Sequence, residues 1–317
     1  MTRISDLTVL SYGAGQDSTA LLLLYVNDPE FRKTYAPGKF VVVMADTGDE
    51  HPYTNQHVAW TKDCCQKHNI PFFHLTSDQG FFIGSWPDLI TPQLREEGGK
   101  YTPTLVQRGS KTCTLNLKIG PIYKWLDEYV NELAKYGYTV QKRRGCSKQA
   151  LLRYGYEFGK IRMLIGYGKG EERRQAKSLA LQKVQWGKRG YWQHIQREFP
   201  LIDMGWDRER CRSYIEGCIG HEVMPSNCMR CPYMSDEELL WLYHTDRGKF
   251  QEWVLMEQRK ISRQEGVEKN YGIFRSKETL PERLQKVQAK YAHYGMDRLM
   301  KFLDAEKKTR GCGAGHY

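Results

Sequence analysis

Two stretches of this 317-residue chain carry residues of the type and spacing that bind anions and their counter-cations. One is Ser11-Tyr12-Gly13-Ala14-Gly15-Gln16-Asp17-Ser18, followed by Thr19. The hydroxyls of Ser11, Ser18 and Thr19, together with the free N–H groups of a helix start, would point at an anion. Gly13 and Gly15 would let the backbone turn tightly and approach it closely. The lysine of a Walker A loop is absent, because Gln16 and Asp17 stand where Gly-Lys is needed. The other stretch is Asp46-Thr47-Gly48-Asp49-Glu50. Carboxylates at a strand end hold a Mg²⁺ that bridges phosphates, or accept hydrogen bonds from ribose or adenine. Asp46 is the best candidate, while Asp49 and Glu50 equally suit a helix N-terminus. A third set is sulfur-based. Cys228-Met229-Arg230-Cys231-Pro232 is a Cys-x-x-Cys turn whose two sulfurs would face one metal, and Cys113 would add a third thiolate.

These residues need elements to hold them. Leu7–Leu10 reads as a buried strand and Thr19–Val26 as a helix, with the glycine loop between. Lys39–Asp46 reads as a second buried strand, Tyr53–His68 as a helix, Ile70–Leu75 as a third strand and Ile161–Gly166 as another. In a parallel sheet wound with helices, ligands bind at the carboxyl ends of the strands, where both acidic and glycine stretches fall. Residues 80–112 form a long loop expected to lie over the site. Pro121 suits the first turn of a helix through Tyr123–Ala134. Asp207 is expected to cap Arg208–Gly217, and Ser235–Arg263 and Leu280–Lys307 are expected as long helices. Cys64 and Cys65 are adjacent on a helix, about 100° apart, and read as structural, while His57, His68 and His74 lack spaced partners and read as packing or surface residues.

Composition bounds the class. Hydrophobic content of 40% with 12% aromatics describes a globular chain rather than a disordered one. No apolar run approaches the roughly 20 residues of a membrane helix, and no signal-peptide core precedes the first strand. A cytoplasmic protein without a membrane partner is expected. In that compartment nine cysteines point to metal or catalysis before disulfides. The net charge of +11 suits a polyanion. Residues 137–162 and 169–192 are dense in Lys and Arg, with Tyr154, Tyr156, Trp186, Tyr191 and Trp192 interleaved. Such segments either stack single-stranded nucleic acid or are solvated basic faces.

The Ser11–Ser18 stretch resembles the pyrophosphate loop (PP-loop) of the adenine nucleotide α-hydrolase superfamily. Lys111-Thr112-Cys113-Thr114 with Leu117-Lys118-Ile119-Gly120-Pro121-Ile122 is similar to the phosphoadenosine phosphosulfate reductase-like branch. The resemblance covers most of residues 7–233. It implies an α/β fold with a Rossmann-like parallel sheet, followed by a mostly helical C-terminal part. It implies a PP-loop nucleotide-binding domain over 1–233 with basic insertions at about 137–160 and 169–195, and a helical region over 234–317 with a mobile cysteine-bearing tail. Lys118 would contact phosphate or sulfate, and Glu171-Glu172-Arg173-Arg174 would lie near the nucleotide. The branch places a [4Fe–4S] cluster on split cysteines. Here Thr114 replaces one of them, so that Cys218 completes the set of Cys113, Cys228 and Cys231 or one iron stays open; structural Zn²⁺ and metal-free cysteines are the alternatives. Near the end, Cys312, Gly313 and His316 resemble the reductases' catalytic terminus, with Gly311 in place of Glu and one residue inserted.

Two chemistries fit this resemblance. In one, ATP adenylates an oxygen of a nucleic acid or small molecule, pyrophosphate leaves, and sulfur replaces the activated oxygen; Asp17 or Asp46 would hold Mg²⁺. In the other, Cys312 attacks the sulfur of an adenylyl sulfate, and a thiol partner releases sulfite. A thiol reductant or sulfur-donor protein is the implied partner. A non-catalytic nucleic-acid-binding protein that kept the fold is the reading from outside enzymology.

Overall fold

The computed structural model describes residues 3–109, 112–140, 147–186 and 190–309. The first half runs β1 (Ile4–Ser11), α1 (Gln16–Asn27), α2 (Pro29–Tyr35), β2 (Lys39–Ala45), α3 (Pro52–Lys67), β3 (Phe72–Leu75), α4 (Thr91–Leu94), α5 (Gly120–Leu133), α6 (Gln149–Phe158) and β4 (Lys160–Ile165). It continues with α7 (Glu172–Trp186), β5 (Ile195–Glu198), α8 (Pro200–Asp203) and α9 (Arg208–Ile219). The C-terminal helices are α10 (Asp236–Thr245), α11 (Arg247–Arg263), α12 (Leu280–Lys290) and α13 (Met296–Thr309).

The five strands form one all-parallel sheet in the order β3-β2-β1-β4-β5. The chain winds outward from β1 to β3, then returns to place β4 on the other side of β1. That reversal makes the β1/β4 boundary a topological switch point, where a crevice opens at the carboxyl ends of the strands. Runs such as Val41-Val42-Val43 are apolar without alternation because helices cover both faces. Leu10, Val42, Met44 and Leu164 face one apolar cluster with α1 and α9; Val9, Val41, Val43 and Met163 face the other with α5 and α6. The second cluster runs on without a break into Leu239, Trp253, Leu284 and Leu303 of the C-terminal helices.

Helix α9 lies alongside α1 and runs the same way. Arg208 at its start meets Asp17 at the start of α1, and Cys218 at its end accepts a hydrogen bond from Asn27 at the end of α1. Three expectations change. The 235–263 stretch is two helices, because Asp246 ends α10 and caps α11 by accepting from Lys249 N–H. The 280–307 stretch is also two, separated at residues 291–295. Residues 80–109 do not roof the cavity: Phe81, Phe82, Trp86, Leu89 and Val106 are buried in the core, which pulls the segment down against the sheet. Among the described residues no helix is long and apolar enough to cross a membrane.

Candidate functional site

A cavity of about 280 Å³ opens at the switch point. Ser11, Gly13 and Gly15–Ser18 line one side, Ile165 and Gly166 the facing strand end, and Ile119, Ile122, Tyr123 and Met163 an apolar wall. Lys118, Arg174, Arg197 and Arg208 line it against two carboxylates, Asp17 and Glu50. The four cations come from four different segments, so the fold gathers positive charge around the start of α1. With the partial positive charge of that helix end, the cavity is built for an anion.

The loop closes itself. Gly13 N–H donates to Ser18 Oγ at 3.2 Å, and the Ser18 hydroxyl donates to Gly15 O at 3.2 Å. The left-handed residue is Ala14, at φ +53°, rather than either glycine. Gly15 is required for another reason. A Cβ there would sit 2.8 Å from Ser226 N, so the bare backbone admits the segment that leads into the cysteine turn. Thr19 differs from its expected role: it is fully buried and its hydroxyl contacts Tyr12 Oη (3.0 Å) and His57 Nε2 (2.9 Å), beneath the loop. Tyr12 Oη also meets His57 Nε2 (3.0 Å) and Thr61 Oγ1 (2.8 Å). This buried network is the foundation on which the loop rests. Burial drives the Tyr12 phenol up and holds His57 neutral, lowering its pKa to about 4.

Asp17 is the carboxylate of the loop. Burial pushes its pKa up to about 6 against the lowering effect of Arg208, whose Nε is 3.8 Å away. Its Oδ1 is buried and has no hydrogen-bond partner. Arg208 also reaches Glu171 Oε1 at 3.4 Å, Glu171 binds Arg174, and Arg174 lies over the Tyr167 ring at 4.2 Å. The acidic–basic segment after β4 therefore stands beside the loop.

The acidic stretch divides its work. Asp46 does not line the cavity. Its Oδ1 accepts from Gly48 N–H at 2.8 Å, and its Oδ2 lies 3.6 Å from His74 Nε2; His74 foremost holds the carboxyl below its usual range. Glu50 lines the cavity instead, with Thr47 Oγ1 donating to its Oε1 at 2.8 Å. Asp49 is buried and structural. It accepts from Arg230 N–H at 2.9 Å and from the guanidinium at 2.7 Å, while Arg230 also reaches Glu252 at 2.7 Å. Lys118 lines the cavity from a π-helical turn over Thr114–Ile119, a distortion that often marks functional sites.

The Cys228–Cys231 turn docks on this stretch through a Glu50–Cys228 bridge and Met229 N–H donating to Asp49 O at 2.8 Å. Both thiols are buried, and Cys228 Sγ is 3.2 Å from Thr47 Oγ1. Arg108 ties the far side by donating to Pro232 O and Met234 O, both at 2.9 Å. Lys307 is 2% exposed and donates to Asn227 Oδ1 and Glu238 Oε1 at 3.0 Å, which anchors α13 behind the turn. Cys113 is half-buried and packs against the same core cluster. Cys218 does not join them. Parallel packing of α9 on α1 carries it to the far end of α1, about 16 Å of helix rise from the loop. Among the described residues no group of three His, Cys, Asp or Glu side chains is arranged to hold a metal ion. Cys312 lies outside the described residues.

The basic aromatic segments also divide. Tyr154, Tyr191 and Trp192 are core residues, unavailable for stacking, whereas Tyr156 is exposed. The Trp186 side chain lies outside the described residues. Sequence reasoning missed Arg197, Arg208 and Ser226, none of which belongs to a recognisable local motif. No family model, curated protein or solved structure matches the chain.

Proposed function

We propose that the chain is a PP-loop-type enzyme that binds ATP with Mg²⁺ and uses it to activate an acceptor oxygen for replacement by sulfur. The observation that carries this reading is the pairing of a cationic cavity at the start of α1 with the unpartnered Oδ1 of Asp17 inside it. Asp17 pairs through Oδ2 with Arg208 but keeps Oδ1 unpartnered beside the anion cradle, and Mg²⁺ on a triphosphate would give that oxygen a cation. An adenylyl sulfate brings no such cation. The acceptor oxygen would attack the α-phosphorus, pyrophosphate would leave towards the N–H groups of the loop, and a sulfur nucleophile would then displace AMP. Lys118, Arg174, Arg197 and Arg208 would neutralise the phosphates as charge moves to the leaving group.

Cys228 and Cys231 supply two thiols on one turn, and by the resemblance they would hold a [4Fe–4S] cluster or Zn²⁺ together with Cys113. Calorimetry with Mg·ATP and with an adenylyl sulfate, followed by ATP–pyrophosphate exchange, tests the reading. Binding of Mg·ATP lost in Asp17→Ala, with an unchanged melting curve, is the expected result. Equal binding in wild type and Asp17→Ala, or tighter binding of adenylyl sulfate, would overturn it.

A further inference from the structure

At the opposite, amino-terminal end of the sheet lies a second cavity, of about 360 Å³. Its construction is specific. Gly155 and Gly159 belong to the last turn and cap of α6, and a side chain at either would collide with the His194 ring or the Arg3 carbonyl. The two glycines thus let the His194 ring and the Arg3 backbone close in on α6, which sets both residues in the cavity wall. The Tyr156 and His194 rings stand edge to face at 4.5 Å. Tyr156 is 77% exposed, whereas His194 is 8% exposed and its Nε2 has no hydrogen-bond partner. Arg3, fixed by donating to Glu157 O at 3.0 Å, and Lys160 add positive charge. Neighbouring rings are already covered: Arg153 lies over Tyr136 at 4.4 Å and over Tyr138 at 6.0 Å. Among the described residues that line the cavity, Tyr156 is the exposed ring.

The geometry points to a binding site for single-stranded nucleic acid, in which a base stacks on the exposed Tyr156 ring, His194 braces that ring edge to face, and Arg3 and Lys160 hold the adjoining phosphates. A duplex keeps its bases stacked on one another and cannot offer a free face to Tyr156. Lys160 begins β4, and Ile165, which lines the first cavity, ends it, so the two sites are about 16 Å apart along the strand. This site does not rest on the nucleotide assignment of the first cavity.

Fluorescence anisotropy with a labelled 15-nucleotide oligo-dT and a 15-base-pair duplex tests it, in the full chain and across a salt series. Wild type should prefer the single strand. Tyr156→Ala should weaken oligo-dT binding by about 5- to 100-fold and leave duplex binding unchanged. Tyr156→Phe, which keeps the ring, should bind as wild type. Lys160→Gln should reduce the slope of log K against log salt by about 0.7. Melting curves and Mg·ATP binding should stay the same in all three variants, which separates this site from the first. Equal oligo-dT affinity in wild type and Tyr156→Ala, no preference for single strand over duplex, or no oligo-dT binding at all would each overturn the proposal.

Discussion

The glycine loop and the segment leading into the cysteine turn meet at Gly15 and Ser226, yet loop and turn are held in opposite ways. The loop over residues 11–18 is closed by its own Ser18 and propped by neutral hydroxyl and imidazole groups from α1 and α3. The turn over residues 228–231 is held by charge, through Asp49 and Arg230, which are 181 positions apart in sequence. Side-chain exposures of 2% and 6% make that pair a buried one. A loop closed locally keeps its shape when a distant element moves, whereas a turn clamped by a distant carboxylate depends on the whole sheet edge. The cavity is lined by the loop and by Pro225 and Ser226, which lead into the turn, so its shape should be far more sensitive to the clamp than to the loop's own hydrogen bonds.

Breaking the clamp should have the largest effect. Asp49→Ala leaves Arg230 buried with only the exposed Glu252 as partner, and should cost about 3–5 kcal/mol of unfolding free energy in urea. The double variant Asp49→Leu/Arg230→Met should lose less than Asp49→Ala alone, because no buried charge is stranded. If Asp49→Ala unfolds at the same urea concentration as wild type, charge is not what holds the turn.

The foundation of the loop should show itself in acid. His57 has a folded pKa near 4, below the ordinary value of 6.5. As pH falls through 6.5 the unfolded chain gains a proton that the folded state refuses, so stability present above 6.5 is lost progressively down to about 4. His51, lowered by burial to about 2, adds a second such proton. For His57 alone the loss is about 3 kcal/mol over that window. His57→Gln should flatten the slope of unfolding free energy against pH by one proton between pH 6.5 and 4; parallel slopes in the two proteins would disprove the assignment.

The junction between the two regions gives an intermediate effect. Gly15→Ala places a methyl 2.8 Å from Ser226 N, so loop and turn must separate, at about 1–3 kcal/mol. Gly13→Ala, whose nearest neighbour is Ser226 Oγ at an ordinary 3.5 Å, should be tolerated. Mg·ATP affinity should fall at least about tenfold in the first variant and little in the second. Equal losses would mean that Gly15 serves ligand approach alone.

What the sequence revealed follows the same division. Strands β1, β2 and β4 are apolar runs buried on both faces, and α1 follows a glycine loop; all of these are local signals. Strand β5 was missed because Ile195-Gln196-Arg197-Glu198 is short, polar and at a sheet edge. Asp46 was favoured over Glu50 because both are carboxylates at one strand end, and only the three-dimensional path of residues 46–50 turns one towards His74 and the other into the cavity. Cys218 looked near Cys228 because sequence distance hides the parallel packing of α9 on α1. Tyr191 and Trp192 looked like stacking residues because an aromatic among basic residues reads the same whether its ring points inward or outward.

The smallest effect should come from the loop's own hydrogen bonds. Ser18→Ala removes the acceptor of Gly13 N–H and the donor to Gly15 O. Two neutral hydrogen bonds in a part-buried loop are worth about 1 kcal/mol net between them once water competes. The Gly13 N–H is not stranded in a dry core, because Gly13 lines the cavity and water or a ligand can reach it. Stability in urea should therefore fall by about 1 kcal/mol, several times less than in Asp49→Ala. Under the proposed function Mg·ATP binding should fall more than that loss suggests, since the Ser18 hydroxyl and the loop shape it fixes would both serve the phosphates. A stability loss as large as that of Asp49→Ala would show that the loop is not self-contained, and would remove the distinction between its local closure and the long-range clamp on the cysteine turn.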